Sequence, residues 1–379
     1  VLIVLTKPEL GGAQKHVLSI LEASDKQRYD LHLFTSPEGL LLDQLSAIPG
    51  IRLHLSRYLQ RNIAPFRDII ALFEICTYIK KHRIDVVHTH SSKAGILGRL
   101  AARLTGVGRV IHTVHGWSFN DRQPFFLRRM YIGLESICAR WTSVLVVVSS
   151  ADRDRGLNLG IRPQSGYVLI RCGINTALFA AAVQNKTATR AALGIASSAL
   201  VVGMIACFKP QKDPLAFVRL AAGLKKQLPG VRFLLVGDGV LRSDIVSFLN
   251  DNGLAGDVIL TGWRTDVPHL LAAMDVMVLT SLWEGLPVVV LEAMAVGVPV
   301  VATDTKGVRD VIVPGETGEL VAVGDKQAME DKVAFLLQHR DARGRLASQA
   351  RSRVLANEFS LHETVRRVQD MYDQGSQRI

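Results

Sequence analysis

Ser281 to Asp310 reads SLWEGLPVVVLEAMAVGVPVVATDTKGVRD, and the fold can be worked outward from it. Two carboxylates, Glu284 and Glu292, stand eight positions apart (292 − 284), with Gly285 and Pro287 between them. Proline is favoured in the first turn of a helix, where its missing N–H has no intrahelical partner to lose. The pattern therefore predicts a helix that starts near Pro287, runs through LPVVVLEAMAVG and stops at Gly297, with Pro299 just beyond. Upstream, DVMVLTS (Asp275 to Ser281) is apolar and β-branched, as a buried parallel strand is. Glu284 then falls in a strand-to-helix loop, and Glu292 roughly a turn and a half into the helix. An α/β sheet binds ligands in that place, outside the carboxyl ends of its strands, where free helix N–H groups attract phosphate.

The rest of the chain repeats this alternation. In the first half, strands are expected at Val1–Leu5, Leu31–Thr35, Ile51–Leu55, Asp85–His88, Val110–Val114 and Ser143–Val148. Amphipathic helices are expected at Ala13–Ala23, Arg67–His82 and Lys93–Leu104, and a basic, aromatic-rich one from Pro124 to Ala139. Strands alternating with helices imply a parallel, doubly wound sheet. Thr187 to Ser198 is small and polar and reads as a linker; a second alternating series begins at Ala199. Ser360 and Glu363 have capping-box spacing and open a last helix, Leu361–Asp373.

Composition narrows the function classes. A chain of 379 residues, 48% hydrophobic, predicts two domains of about 180 residues each. Mean hydropathy is positive (+0.22), yet the longest apolar run, Leu286 to Ala302, is broken by Glu292, Gly297 and Pro299. It falls short of the roughly 18–20 clean residues of a membrane span. Lys7 and Glu9 follow close on the opening strand, with no A-x-A-like site, so no signal peptide is expected. Cys76, Cys138, Cys172 and Cys207 show no C-x-x-C spacing, which points to reduced thiols in a cytosolic protein. A net charge of +11 leaves nucleic acid, an anionic membrane or a phosphorylated substrate as partners. No helix-turn-helix, zinc-finger or RNP-like aromatic motif supports nucleic acid.

EGLPVVVLEAMA (284–295) resembles the E-x7-E signature of retaining, nucleotide-sugar-dependent glycosyltransferases of family 4. That family has the GT-B fold, two doubly wound, Rossmann-like domains facing across a cleft. The resemblance implies an acceptor-side domain over 1–185, a nucleotide-sugar-binding domain over 186–358, and a C-terminal helix over 359–379 that returns to the first domain. It also implies transfer of a sugar from a UDP- or GDP-sugar to a saccharide acceptor, a polyprenyl-linked one in surface polysaccharide assembly. Other readings of the same fold are a sugar-nucleotide epimerase, which needs acid/base carboxylates elsewhere, and a non-catalytic subunit.

Site residues follow from the same likeness. Gly11-Gly12 after the first strand resembles the family's phosphate-proximal glycine loop, and two glycines let a backbone approach a ligand. ACFKPQKD (206–213) resembles the diphosphate loop A-R-L-x-P-Q-K-D. Lys212 falls on the family lysine, Cys207 replaces the family arginine, and Lys209 is expected to supply that charge. Gly237, in the turn Gly237-Asp238-Gly239, lines the nucleotide pocket in the resemblance; a dinucleotide fingerprint fails because Arg242 holds its third glycine position. Trp263 and Arg264 would flank the base through backbone groups. Gly285, Leu286 and Pro287 would border the donor, with Glu284 holding sugar hydroxyls and Glu292 the ribose. His115 matches the histidine placed beside the donor sugar, and His90 and Ser91 would border the acceptor. His88 and His112 are expected to pack beneath the sheet's end. Lys306 and Asp310 depart from the family's G-G-x-x-E segment. The scheme needs no metal, and the H-x-H pair His88/His90 has no carboxylate nearby in sequence to complete a zinc site. Phe125, Phe126, Leu127 and Met130 beside Arg122, Arg128 and Arg129 suit an anionic bilayer surface. The expected location is the cytoplasm, peripheral at the inner face of the plasma membrane.

Overall fold

The computed structural model describes residues 1–374. The described residues divide into two compact units, residues 1–173 with those from 361 onward, and residues 174–360. Seven strands build the first: β1 (Leu2–Leu5), β2 (Leu31–Thr35), β3 (Ile51–Leu55), β4 (Val86–His90), β5 (Arg109–Val114), β6 (Val144–Val147) and β7 (Tyr167–Leu169). Six build the second: β8 (Val201–Ile205), β9 (Arg232–Val236), β10 (Val258–Gly262), β11 (Val276–Leu279), β12 (Val300–Thr303) and β13 (Glu319–Val321).

Both sheets are parallel, in the orders β3-β2-β1-β4-β5-β6-β7 and β10-β9-β8-β11-β12-β13. Each order reverses once, between β1 and β4 and between β8 and β11. The two α/β sheets bear out the fold class drawn from alternation. The strands are Val-, Ile- and Leu-rich runs because helices cover both faces. On one face of the first sheet, Leu2, Val4, Phe34, Val87 and Val110 meet Ala71, Ile75, Leu97 and Ala101 of helices Pro65–Lys81 and Ser92–Thr105. On the other, Ile3, Leu5, Leu33 and Ile111 meet Val17 and Leu21 of helix Gly12–Ala23 and Val365, Val368 and Tyr372 of helix Leu361–Asp373.

Three local expectations are corrected. β4 runs to His90 rather than stopping at His88, so His88 and His90 project from the same face of the sheet. β7 was not expected; its three residues are too few to carry a periodicity. The proposed linker is not one: Lys186–Ala192 is helical, and Arg190 within it is 4% exposed and donates to Asp275 Oδ2 at 2.7 Å. The units divide after Gly173, twelve residues before the expected 185 (185 − 173), because helix Thr176–Ala182 packs on helices Val267–Ala272 and Val288–Val296 of the second unit.

Candidate active site

In an open α/β sheet the crevice for a ligand opens where the strand order reverses. In the second unit that point lies between the loops after β8 and β11. The β8 loop ends in a 3-10 turn, Pro210–Lys212, and the β11 loop carries Ser281 and Glu284. They are stitched together. Lys212 Nζ donates to Glu284 Oε1 at 2.5 Å across 72 positions of sequence, and Ser281 Oγ donates to the same oxygen at 2.6 Å. Thr280 Oγ1 reaches the carbonyls of Lys212 and Asp213, and Gln211 Nε2 the carbonyl of Trp283. Both bonds to the Glu284 carboxylate use Oε1, so Oε2 keeps its accepting capacity; an ammonium has three donors, and Lys212 retains two.

The loop geometry depends on glycines. A Cβ on Gly307 would lie 1.9 Å from the Gly285 carbonyl oxygen and 2.7 Å from that of Glu284. One on Gly237 (φ +127°) would lie 1.9 Å from the Ala206 oxygen, so this turn backs directly onto the loop that carries Lys209 and Lys212. Asp213, which caps helix Pro214–Gln227 through Ala216 N, is non-glycine yet left-handed (φ 44°). Such a conformation costs about 1–3 kcal/mol and collects at functional sites.

Helix Val288–Val296 starts after Pro287 and ends at left-handed Gly297, within a residue of the expected bounds. It is apolar all round, and Gly285, Leu286 and Pro287 before it are buried. Glu292 is its one charge and is 6% exposed, a placement that only paired or ligand-holding carboxylates tolerate. Trp263 is 38% exposed after β10. The exposed Arg264 guanidinium is oriented by two bonds to Asp266 of 2.7 and 2.6 Å. Lys209 is half-buried at the start of the Pro210–Lys212 turn.

The switch point of the first unit lies between the ends of β1 and β4. There Thr6 Oγ1 and Ser91 Oγ lie 2.7 Å apart, and Ala94 N donates to Thr6 Oγ1. Ser91 is the second left-handed non-glycine at a switch point (φ 64°, ψ 158°). Gly12 opens its helix after Gly11. Because β4 persists, the His88 and His90 rings stand 4.2 Å apart between centroids. His90 Nδ1 and His115 Nε2 are 3.0 Å apart, and His16 meets the His115 ring edge-on at 5.1 Å. His88 is held from both sides, by Thr113 Oγ1 and by Tyr372 OH of the last helix, each at 2.8 Å. His112 faces the other side of the sheet and bonds Thr89.

These imidazoles are neutral. Burial holds His16 at about 4; burial and the nearby His16 hold His88 at about 3. Burial, with neighbouring imidazoles adding like charge, holds His90 and His115 well below the ordinary range. His90 Nε2 is buried without a partner. A bare lone pair costs less than a bare N–H, so the His90 proton belongs on Nδ1, donated to His115 Nε2. His115 then carries its own proton on Nδ1 and is a fixed hydrogen-bond donor. His16, Thr6, Ser281 and Tyr372 were missed in the sequence. Only the position of His16, one turn into the helix that Gly12 opens, marked any of them. Among the described residues no group of three His, Cys, Asp or Glu could hold a metal ion.

Two doubly wound sheets, each gathering polar groups at its switch point and the second a Lys–Glu pair, are the arrangement in which α/β proteins bind phosphorylated, nucleotide-like ligands. The chain belongs to the family 4 (group 1) glycosyltransferases, a family of retaining, nucleotide-sugar-dependent enzymes. The description Glycosyltransferase Family 4 matches residues 10–178, and Glycosyl transferases group 1 matches residues 185–353. The chain is 35% identical over 284 residues to UDP-Gal:alpha-D-GlcNAc-diphosphoundecaprenol alpha-1,3-galactosyltransferase of Escherichia coli, spanning 74% of this chain and 73% of that one. It is 24% identical to the capsular polysaccharide biosynthesis glycosyltransferase CapM of Staphylococcus aureus, over 93% of this chain and 92% of that one. The crystal structure of HepE from Anabaena in complex with UDP and glucose superposes with a TM-score of 0.84 over 98% of this chain and 99% of that one, at 19% identity. That likeness shows the GT-B fold. Family membership bears out the resemblance carried by E-x7-E and makes this chain a glycosyltransferase.

Proposed function

We propose that this glycosyltransferase moves a hexose from a UDP-sugar to a polyprenyl-diphosphate-linked saccharide, with retention at the anomeric carbon, during surface polysaccharide assembly. The observation that carries the donor side is the Lys212–Glu284 pair at the second switch point. Transfer needs positive charge on a departing diphosphate and acceptors on the sugar hydroxyls. Lys212, with two donors to spare, meets the first need and Lys209 adds charge where Cys207 replaces an arginine. Glu284 Oε2 meets the second, while buried Glu292 takes the ribose hydroxyls and backbone groups at Trp263 and Arg264 take the base. Gly237, Gly285, Leu286 and Pro287 shape the pocket wall, and Gly12 presents helix N–H groups to phosphate. His115, a neutral donor held by His90, bonds the donor sugar; His90 and Ser91 border the acceptor. No metal enters this scheme.

UDP is favoured over GDP because the Escherichia coli relative is named for UDP-Gal and HepE was crystallised with UDP. A lipid-linked acceptor is favoured because that relative acts on a diphosphoundecaprenol-linked sugar. Such an acceptor supports work at the cytoplasmic face of a membrane. Phe125 and Phe126 are 66% and 85% exposed beside Arg129, so these two rings are turned outward, while Tyr131 packs against the core. No helix among the described residues is long and apolar enough to cross a membrane.

The test is transfer by the purified chain. UDP- and GDP-hexoses are each offered with a short polyprenyl-diphosphate-linked N-acetylglucosamine, and the product's anomeric configuration is read by NMR. UDP-dependent transfer with retention is expected. Inversion, or transfer from GDP-sugars alone, would overturn the assignment. Glu292→Ala should weaken UDP binding and Glu284→Ala should lower turnover with bound donor; wild-type behaviour in both would displace the site.

A further inference from the structure

We infer that helix Pro65–Lys81 carries a second membrane contact, paired with the one at residues 122–131, so that the first unit rests on an anionic bilayer by two helices flanking Ser91. The inference builds on the membrane part of the function proposed above. The helix is apolar on two stripes. Ala71, Ile75, Tyr78 and Ile79 face the core. Phe66, Ile69, Ile70 and Phe73, three to four positions apart, face solvent, with Phe66 86% and Phe73 66% exposed; Ile63 just before the helix is 64% exposed. No described part of the chain covers them. Exposed apolar residues gathered on one stripe, rather than scattered singly, mark an interaction surface.

Topology sets where the stripe begins. In a parallel sheet each connecting helix starts at the carboxyl end of the strand before it, so helices Pro65–Lys81, Ser92–Thr105 and Phe125–Ala139 all start at the end that holds Ser91 and His115. The first two are joined at their first turns: Lys93 Nζ bonds Asp68 Oδ1 at 2.6 Å and the Asn62 carbonyl. Helix Phe125–Ala139 packs on the other side of helix Ser92–Thr105. Exposed aromatics therefore stand on both sides of the Ser91 loop.

Charge selects the occupant. Arg57, Arg61 and Arg67 are exposed around the stripe, Arg61 within 3.5 Å of the Glu9 carboxylate. Of the two carboxylates in residues 57–74, Asp68 is taken by Lys93 and by Ala64 N, and Glu74 accepts from Ser56 Oγ. The surface that covers this patch is therefore anionic. A second copy of the chain, at +11, has the wrong sign. A bilayer with acidic headgroups fits both features: aromatic and aliphatic side chains enter the headgroup–acyl boundary while arginines meet the phosphates.

Co-sedimentation of the full chain with phosphatidylglycerol/phosphatidylethanolamine vesicles, and with phosphatidylcholine vesicles, tests it. The wild type should bind the anionic vesicles at low salt and release at high salt. Phe66→Asp with Phe73→Asp should lower the partition coefficient at least tenfold with unchanged circular dichroism and thermal midpoint, since both side chains are exposed. Arg128→Glu with Arg129→Glu should lower it a few-fold. Undiminished binding by the double phenylalanine variant would overturn this inference and leave the contact at 122–131 standing. No wild-type binding to either vesicle would overturn both. A concentration-dependent dimer in sedimentation velocity that the same variant abolishes, without vesicle binding, would assign the stripe to self-association instead.

Discussion

Lowering the pH should destabilise the first unit well before carboxylates titrate. An unfolded histidine takes a proton near pH 6.5. In the folded chain, burial holds His16 at about 4 and, with His16 nearby, His88 at about 3. A folded-state value below the unfolded one means the unfolded chain binds more protons as pH falls. Stability is therefore complete above the unfolded value and declines through the window down to the folded one. The slope is about 1.36 kcal/mol per pH unit for each group. The slope is half that at about pH 6.5 and approaches it lower down, so from about pH 6.5 to about pH 5 His16 and His88 together remove about 3 kcal/mol. His90, His112 and His115, held well below the ordinary range by burial, push in the same direction. Against a typical stability of about 5–15 kcal/mol, this is enough to bring the unit close to unfolding. All five histidines lie in the first unit, as do Trp117 and Trp141; Trp263 and Trp283 lie in the second. Urea titrations of a Trp263→Phe/Trp283→Phe variant, followed by fluorescence at several pH values, report the first unit. A change below about 1 kcal/mol across that interval would refute the claim that burial keeps these rings neutral.

Lys212→Ala should weaken a UDP-sugar far more than uridine, by roughly ten- to a hundredfold for the loss of a charge-assisted bond of about 1.5–3 kcal/mol; calorimetric titration of the two ligands measures it. Lys209→Ala should show the same pattern, and an unchanged diphosphate preference would make it an ordinary surface lysine. Gly307→Ala forces a Cβ against the Gly285 and Glu284 carbonyls, so the Glu284 loop must shift; a loss of about 1–3 kcal/mol in stability together with lower kcat is expected, and wild-type values for both would show the loop yields freely. Arg99 and Glu135 form a 2.7 Å ion pair at 0% and 3% side-chain exposure. Arg99→Leu should cost about 3–5 kcal/mol by stranding the carboxylate, and adding Glu135→Leu should recover most of it; thermal unfolding of the single and double variants decides.

Local sequence was enough for most elements and for the chemical class. Val, Ile and Leu runs separated by amphipathic stretches specify parallel strands and covering helices, since both properties are set by neighbours a few positions away. Pro287 and Gly297 bracket the helix that holds Glu292 because their backbone preferences act on their own residues. The same locality made EGLPVVVLEAMA readable as a family signature. It also explains the failure at Lys186–Ala192, whose small polar residues read as a linker. The burial of Arg190 depends on Asp275, 85 positions away.

What the tertiary structure alone decided are meetings between distant residues. Strand order, not periodicity, brings Lys212 to Glu284 and Thr6 to Ser91, because which loops share a switch point depends on how non-consecutive strands pair. The histidine cluster needed β4 to persist two residues further and helix Gly12–Ala23 to dock so that His16 reaches His115. A helix apolar on two stripes, such as Pro65–Lys81, does not reveal in its sequence which stripe faces the core. That choice belongs to the sheet and the neighbouring helix, which can cover only one.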